Sequence, residues 1–180
     1  NLSLYWNARH GAASKWLVAF DRHTGKHRDE AEVLWTRRAE ANFRHNAIAV
    51  GDGKVFCIDG ISQPRLQALR RRGIETDDRP TLYALDGRTG RVLWKVDKDV
   101  RGTWVAHADE HDVVLVAHSR ARDRALDETK AGMAVYRDRD GELLWTSDES
   151  YEGPCMIHGT RIITQRKAFD LLSGKPIERT

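Results

Sequence analysis

Two cysteines in 180 residues, Cys57 and Cys155, are too few for a disulfide framework and lack the spacing of a metal site. They read as buried thiols acting as small apolar side chains. No apolar run reaches the length of a membrane-spanning helix. The stretch Gly51-Asp52-Gly53-Lys54 lacks the wider glycine spacing and the following Ser/Thr of a phosphate loop, and no Gly-x-Ser-x-Gly marks a nucleophile. Excess charge of one sign is also small: 30 basic against 27 acidic residues leaves +3. Arginines gather at Arg65, Arg70, Arg71, Arg72 and Arg79, and again at Arg120, Arg122 and Arg124. Glu75, Asp77, Asp78, Asp123, Asp127 and Glu128 share those two stretches. The charges largely neutralise one another there, which reads as solvated loops and not as a nucleic-acid face.

What the chain does have is repetition. Ala84-Leu85-Asp86-Gly87-Arg88-Thr89-Gly90-Arg91-Val92-Leu93-Trp94 is the cleanest copy of a unit. It is preceded by Ala19-Phe20-Asp21-Arg22-His23-Thr24-Gly25-Lys26 and followed by Gly141-Glu142-Leu143-Leu144-Trp145 and by Ala168-Phe169-Asp170-Leu171-Leu172-Ser173-Gly174-Lys175. Recurrence at intervals of a few tens of residues is the mark of a repeat architecture. In the clean copy Thr81 to Leu85 is rich in β-branched and aromatic residues, and Arg91 to Val96 alternates polar with apolar. Both read as strands, joined by a turn in which Asp86 accepts from nearby N–H groups and Gly90 takes a positive φ.

Between the tryptophans lie paired apolar runs. Asn46 to Val50 and Val55 to Asp59 flank Gly51-Asp52-Gly53-Lys54, a hairpin signal; Thr103 to Ala106 and Val113 to His118 form the next pair, Cys155 to Ile157 and Arg161 to Thr164 the third. Each period thus holds about four short strands, the content of one propeller blade. The spacing predicts an all-β chain of about three to four four-stranded antiparallel blades at 33–86, 92–137 and 142–170, with partial blades at 1–21 and 171–180. Residues 27–32, 60–79 and 119–131 read as loop insertions, residues 66–72 favouring a short helix. The last two insertions, linking corresponding strands, are expected on one face. Trp35, Trp94 and Trp145 fall in register, 59 and 51 residues apart, and are expected at equivalent buried positions.

The pattern Ala-x-Asp-x-x-Thr-Gly-Lys/Arg-x-x-Trp resembles the tryptophan-docking motif of the pyrroloquinoline-quinone (PQQ) type β-propeller repeat, over roughly residues 16–180. The third copy departs from it, with Arg137 in the Asp position and Asp140 in the Thr position, and the fourth ends before any Trp. The resemblance implies that each Trp docks between adjacent blades. That family includes quinoprotein alcohol dehydrogenases and an outer-membrane assembly lipoprotein, so one scaffold hosts several functions. In the dehydrogenases a vicinal Cys pair covers the quinone and an acidic set holds Ca²⁺; no adjacent cysteines occur in this sequence.

No catalytic, cofactor-binding or metal residue is therefore assigned. His107, His111 and His118 are the tightest imidazole group, yet they straddle a hairpin and read as surface or hairpin-end side chains. Asp97-Lys98-Asp99 reads as a loop and not as a calcium site. Trp6, Trp16 and Trp104 stand outside the motif and read as packing residues. The resulting expectation is a non-catalytic PQQ-like propeller segment that acts as a binding or scaffold platform, with no cofactor. Its partners are an unspecified protein or small molecule and the remaining blades of a longer propeller, with no nucleic acid. The alternative is part of a quinoprotein-like dehydrogenase, or an accessory propeller of a larger enzyme, with catalytic residues outside the chain. A periplasmic or extracellular setting is implied by the resemblance alone.

Overall fold

The computed structural model describes residues 13–21, 32–61, 63–76, 79–101, 104–117, 132–151 and 155–178. These residues are all-β apart from short helical pieces. Strands β1 (Ala13–Phe20), β2 (Val33–Gly51), β3 (Lys54–Asp59), β4 (Thr81–Asp86) and β5 (Val92–Val96) form the first sheet in chain order. Strands β6 (Trp104–Ala108), β7 (Val113–Ala117), β8 (Met133–Arg137) and β9 (Leu143–Ser147) form the second. Strands β10 (Met156–His158), β11 (Arg161–Ile163), β12 (Ala168–Asp170) and β13 (Pro176–Ile177) form the third. Every pairing is antiparallel between chain neighbours.

The grouping of strands corrects the blade limits expected from sequence. Blades at 33–86, 92–137 and 142–170 would each open on a Trp strand. Instead β5 pairs with β4 and β9 with β8, so a Trp strand closes the sheet that precedes it. The reason is local: the Asp-x-x-Thr-Gly turn is too short to let its two strands enter different sheets, whereas the segments after each Trp are free to cross. Likewise residues 171–177 complete the third sheet and do not open a new one. At the other end, β1 and the first half of β2 form a two-stranded ribbon; β2 then continues into pairing with β3. Residues 1–12 lie outside the described residues.

The hairpin at 51–54 forms as its sequence demands, with Asp52 and Gly53 both at positive φ, 46° and 66°. Helix α1 (Gln63–Arg71) occupies the 60–79 insertion near its expected place. Insertion 119–131, expected on the same face as 60–79, lies outside the described residues. Among the described residues no helix is long and apolar enough to cross a membrane.

Strand alternation distributes side chains to the two faces of each sheet. Leu82 and Ala84 of β4 meet Val114, Val116, Ala134 and Tyr136 of the second sheet in one core. Met133 and Val135 of β8 face the other way, onto Ile162, Phe169 and Leu171 of the third sheet. Tyr83 and Leu85 of β4 pack under the β1–β2 ribbon with Trp35, Ala39 and Phe43. The sheets therefore stack face to face. Trp16, Val18 and Phe20 of β1 remain exposed, Trp16 at 53%. Trp104 is half-buried against the core between the second and third sheets.

Candidate functional site

The turn that repeats in the sequence is also where each repeat meets the tryptophan of the one before it. In the clean copy the Asp86 carboxylate accepts from the backbone N–H of Arg88 (3.2 Å) and Thr89 (2.7 Å) and from the Thr89 hydroxyl (2.6 Å). The fourth copy reproduces this with Asp170 and the backbone and hydroxyl of Ser173, both 2.7 Å. These hydrogen bonds, the hydroxyl's foremost, hold both carboxyls below the usual aspartate range. In the third copy Asp140 accepts from the Glu142 N–H at 3.0 Å, and Arg137 pairs with Asp140 and Glu142. The turn keeps its backbone bonds, Gly141 N–H to Arg137 C=O and Arg137 N–H to Glu142 C=O, with a different side-chain brace.

Each motif tryptophan reaches from one strand to the turn of the next repeat. The indole N–H of Trp35 donates to Gly87 O (2.9 Å), that of Trp94 to Asp138 O (2.6 Å) and that of Trp145 to Leu171 O (2.9 Å). Their cross-strand partners, Ala19, Ala84 and Val135, are equivalent, and each is followed by a register irregularity that re-aims the chain. Gly90, Gly141 and Gly174, all at positive φ, lie flat against Trp35, Trp94 and Trp145. Trp35 and Trp94 are buried as expected, whereas Trp145 is half-buried. In β13, Ile177 stands opposite Ala168, the register place of the tryptophans.

The residue whose carbonyl receives the indole differs among the copies: Gly87, Asp138 and Leu171. Only Asp138 brings a charge. Its side chain is 4% exposed and accepts from Lys54 Nζ of the first sheet at 3.3 Å, with His107 Nε2 of β6 at 3.0 Å. His107 stacks on Phe56 with ring centroids 4.9 Å apart. A Cβ on Gly51 would lie 2.1 Å from His107 Nδ1, so this glycine makes room for the ring. Lys54 also pairs with the exposed Asp52. Burial opposes the charge on Lys54, but hydrogen bonds to Asp52 and Asp138 outweigh it and raise the ammonium's pKa. Sequence reasoning passed over Asp138; the available signal was an acidic residue at a position occupied by Gly87 and Leu171 in the neighbouring copies.

At the opposite end of the first sheet a cleft of about 320 Å³ is lined by Glu40, Asp59, Arg79, Tyr83, Lys95 and Asp97, among others. Asp59 is buried and used structurally: its two oxygens accept the N–H groups of Glu40 (2.6 Å) and Ala41 (3.0 Å). The Arg37 guanidinium lies 5.0 Å from the centroid of the Tyr83 ring. Asp97 lines this cleft, whereas Asp99 sits in the following loop at φ 58°.

Of the imidazoles singled out by spacing and expected at the surface or at a hairpin end, His107 lies near the end of β6 with its side chain buried against Asp138, because Gly51 and Phe56 form its seat. His111 follows in a 3₁₀ turn, its Nε2 buried and unpaired among the described residues, and His118 lies outside them. No group of three His, Cys, Asp or Glu among the described residues is arranged to hold a metal. Cys57 and Cys155 are buried and free, and burial pushes their thiols up to about 12 and about 11. The Tyr136 hydroxyl is buried and unpaired among the described residues. Tyr136→Phe is accordingly expected to leave stability unchanged or raise it by about 1 kcal/mol, the hydroxyl's desolvation being uncompensated; a clear loss in urea unfolding would show a hidden partner.

The sequence matches the family model described as outer membrane protein assembly factor BamB over residues 8–176. No curated protein matches it. Among solved structures, BamB from Moraxella catarrhalis is similar with a TM-score of 0.59 at 14% identity, covering 92% of this chain and 43% of that one. Quinohemoprotein alcohol dehydrogenase ADHIIG from Pseudomonas putida HK5 gives 0.46 at 17% identity, covering 74% and 20%. The chain thus spans less than half the length of either structure.

Proposed function

Because the chain belongs to the family of the outer membrane protein assembly factor BamB, we propose that it is a non-catalytic PQQ-like propeller segment serving as a platform on which another polypeptide binds. The observation that carries this reading is how the repeated residues are used. Asp86, Thr89, Asp170 and Ser173 satisfy their own turns, and Trp35, Trp94 and Trp145 bond to the following repeat. On this reading the tryptophans are docking residues that join blades, and the motif is architecture. Its chemistry is consumed internally, so recognition falls to the surfaces between and around the turns.

Those surfaces suit a polypeptide. The closing strands expose apolar pairs at matching positions: Val92 and Leu93 on β5, Leu143 and Leu144 on β9, with Val33 and Leu34 on β2. Such rims of apolar side chains on sheet edges favour protein contact. The polar cleft at Glu40, Asp59 and Lys95 adds groups of both signs. The remaining blades of a longer propeller would be further partners, and nucleic acid is not among those proposed.

Calorimetric titration with PQQ and with Ca²⁺ separates this reading from the dehydrogenase alternative. Neither is expected to bind one-to-one. Tight stoichiometric uptake of either would overturn the non-catalytic assignment.

A further inference from the structure

The joints between the sheets are built from different materials at corresponding positions. In all three repeats the residue after the turn's first position uses its backbone in the same way. Gly87, Asp138 and Leu171 donate N–H to Gly53, Asp112 and Thr160 at 2.7, 2.9 and 2.8 Å, and accept the indole of the preceding Trp. The side chain is left to vary. Between the second and third sheets it is Leu171, fully buried beside Ile162 and Phe169. Between the first and second it is a carboxylate.

We propose that Lys54, His107 and Asp138 form a polar latch that controls how readily the first and second sheets separate, independently of the joint between the second and third. Lys54 comes from β3 and reaches across to Asp138 at the β8–β9 turn, while His107 holds the same oxygen from β6. His107 is itself fixed from the first sheet by Phe56 and by the space that Gly51 leaves. Each sheet thus contributes a group that the other must satisfy. Buried charges of this kind add little net stability when paired, and removing one partner is strongly unfavourable because the others stay behind unpaired. A joint of this type holds through complementarity. The Leu171 joint holds through apolar area and tolerates any apolar partner of similar volume. The latch therefore makes the first joint the one whose opening single charge changes can set.

Amide hydrogen exchange on the whole chain, read by mass spectrometry, tests this. Asp138→Leu, which copies the sister repeat, is expected to speed exchange across residues 51–58 and 104–108 roughly a hundredfold, the effect of stranding a buried partner. Residues 160–163 and 168–171 should hold their protection. Lys54→Met leaves the His107–Asp138 pair in place and should accelerate the same first-joint segments by about tenfold, and this milder change keeps the test readable if Asp138→Leu does not fold. Removing all three polar groups together, Asp138→Leu with Lys54→Met and His107→Leu, leaves no stranded partner and should recover most of the protection lost in Asp138→Leu. Unchanged or slower exchange at the first joint in Asp138→Leu, equal acceleration at both joints, or no recovery in the triple variant would overturn the proposal.

Discussion

Replacing Trp94 by alanine is expected to cost about 3–5 kcal/mol, the range for a large buried aromatic. Trp94 is 9% exposed and sits in the core between the first and second sheets, with Phe56 6.0 Å away between ring centroids. Alanine would leave a void bounded by Phe56 and Gly141, and the Asp138 carbonyl would lose its 2.6 Å partner. Urea unfolding measures the loss, with Trp16→Ala as the comparison. Trp16 is mostly exposed, so its replacement should stay within about 0.5 kcal/mol. Equal losses at the two positions would remove Trp94 from its assigned role.

Gly141→Ala should lose about 2–5 kcal/mol. Two effects add: a left-handed backbone costs a residue with a Cβ roughly 1–2 kcal/mol, and overpacking typically costs about 1–3. Gly141 has φ 76°, and a Cβ there would fall 2.7 Å from Trp94 Cε3. Gly53 separates the two effects, because it has φ 66° but nothing within 4 Å of the added atom. Gly53→Ala should therefore show the backbone cost alone, about 1–2 kcal/mol. If the two glycines respond alike in urea unfolding, the indole does not press on Gly141.

Particular elements show how far the sequence reached. The Gly51-Asp52-Gly53-Lys54 hairpin, the strand pairs on either side of it and the short helix in the 60–79 insertion were legible because their causes are local: turn chemistry, alternation and propensity. The common register of Trp35, Trp94 and Trp145 was legible because it repeats. The blade limits were misread by one strand, since spacing alone does not say to which sheet a strand belongs. The buried seat of the His107 side chain was not legible because it depends on Gly51, a residue remote in sequence and without a side chain.

The repeat, its turns and the all-β class are legible in the sequence alone. Each of these is written in neighbouring residues or in recurrence. It is the tertiary structure that makes the tryptophan strands close their sheets, brings each indole to the turn of the following repeat, and sets Asp138 against Lys54 across a joint. Those facts depend on the stacking of whole sheets, which brings Lys54 and Asp138 together across 84 residues of chain. An interaction of that range leaves no periodic trace in the sequence. It shows there only as an acidic residue at a position where the repeats on either side carry Gly87 and Leu171.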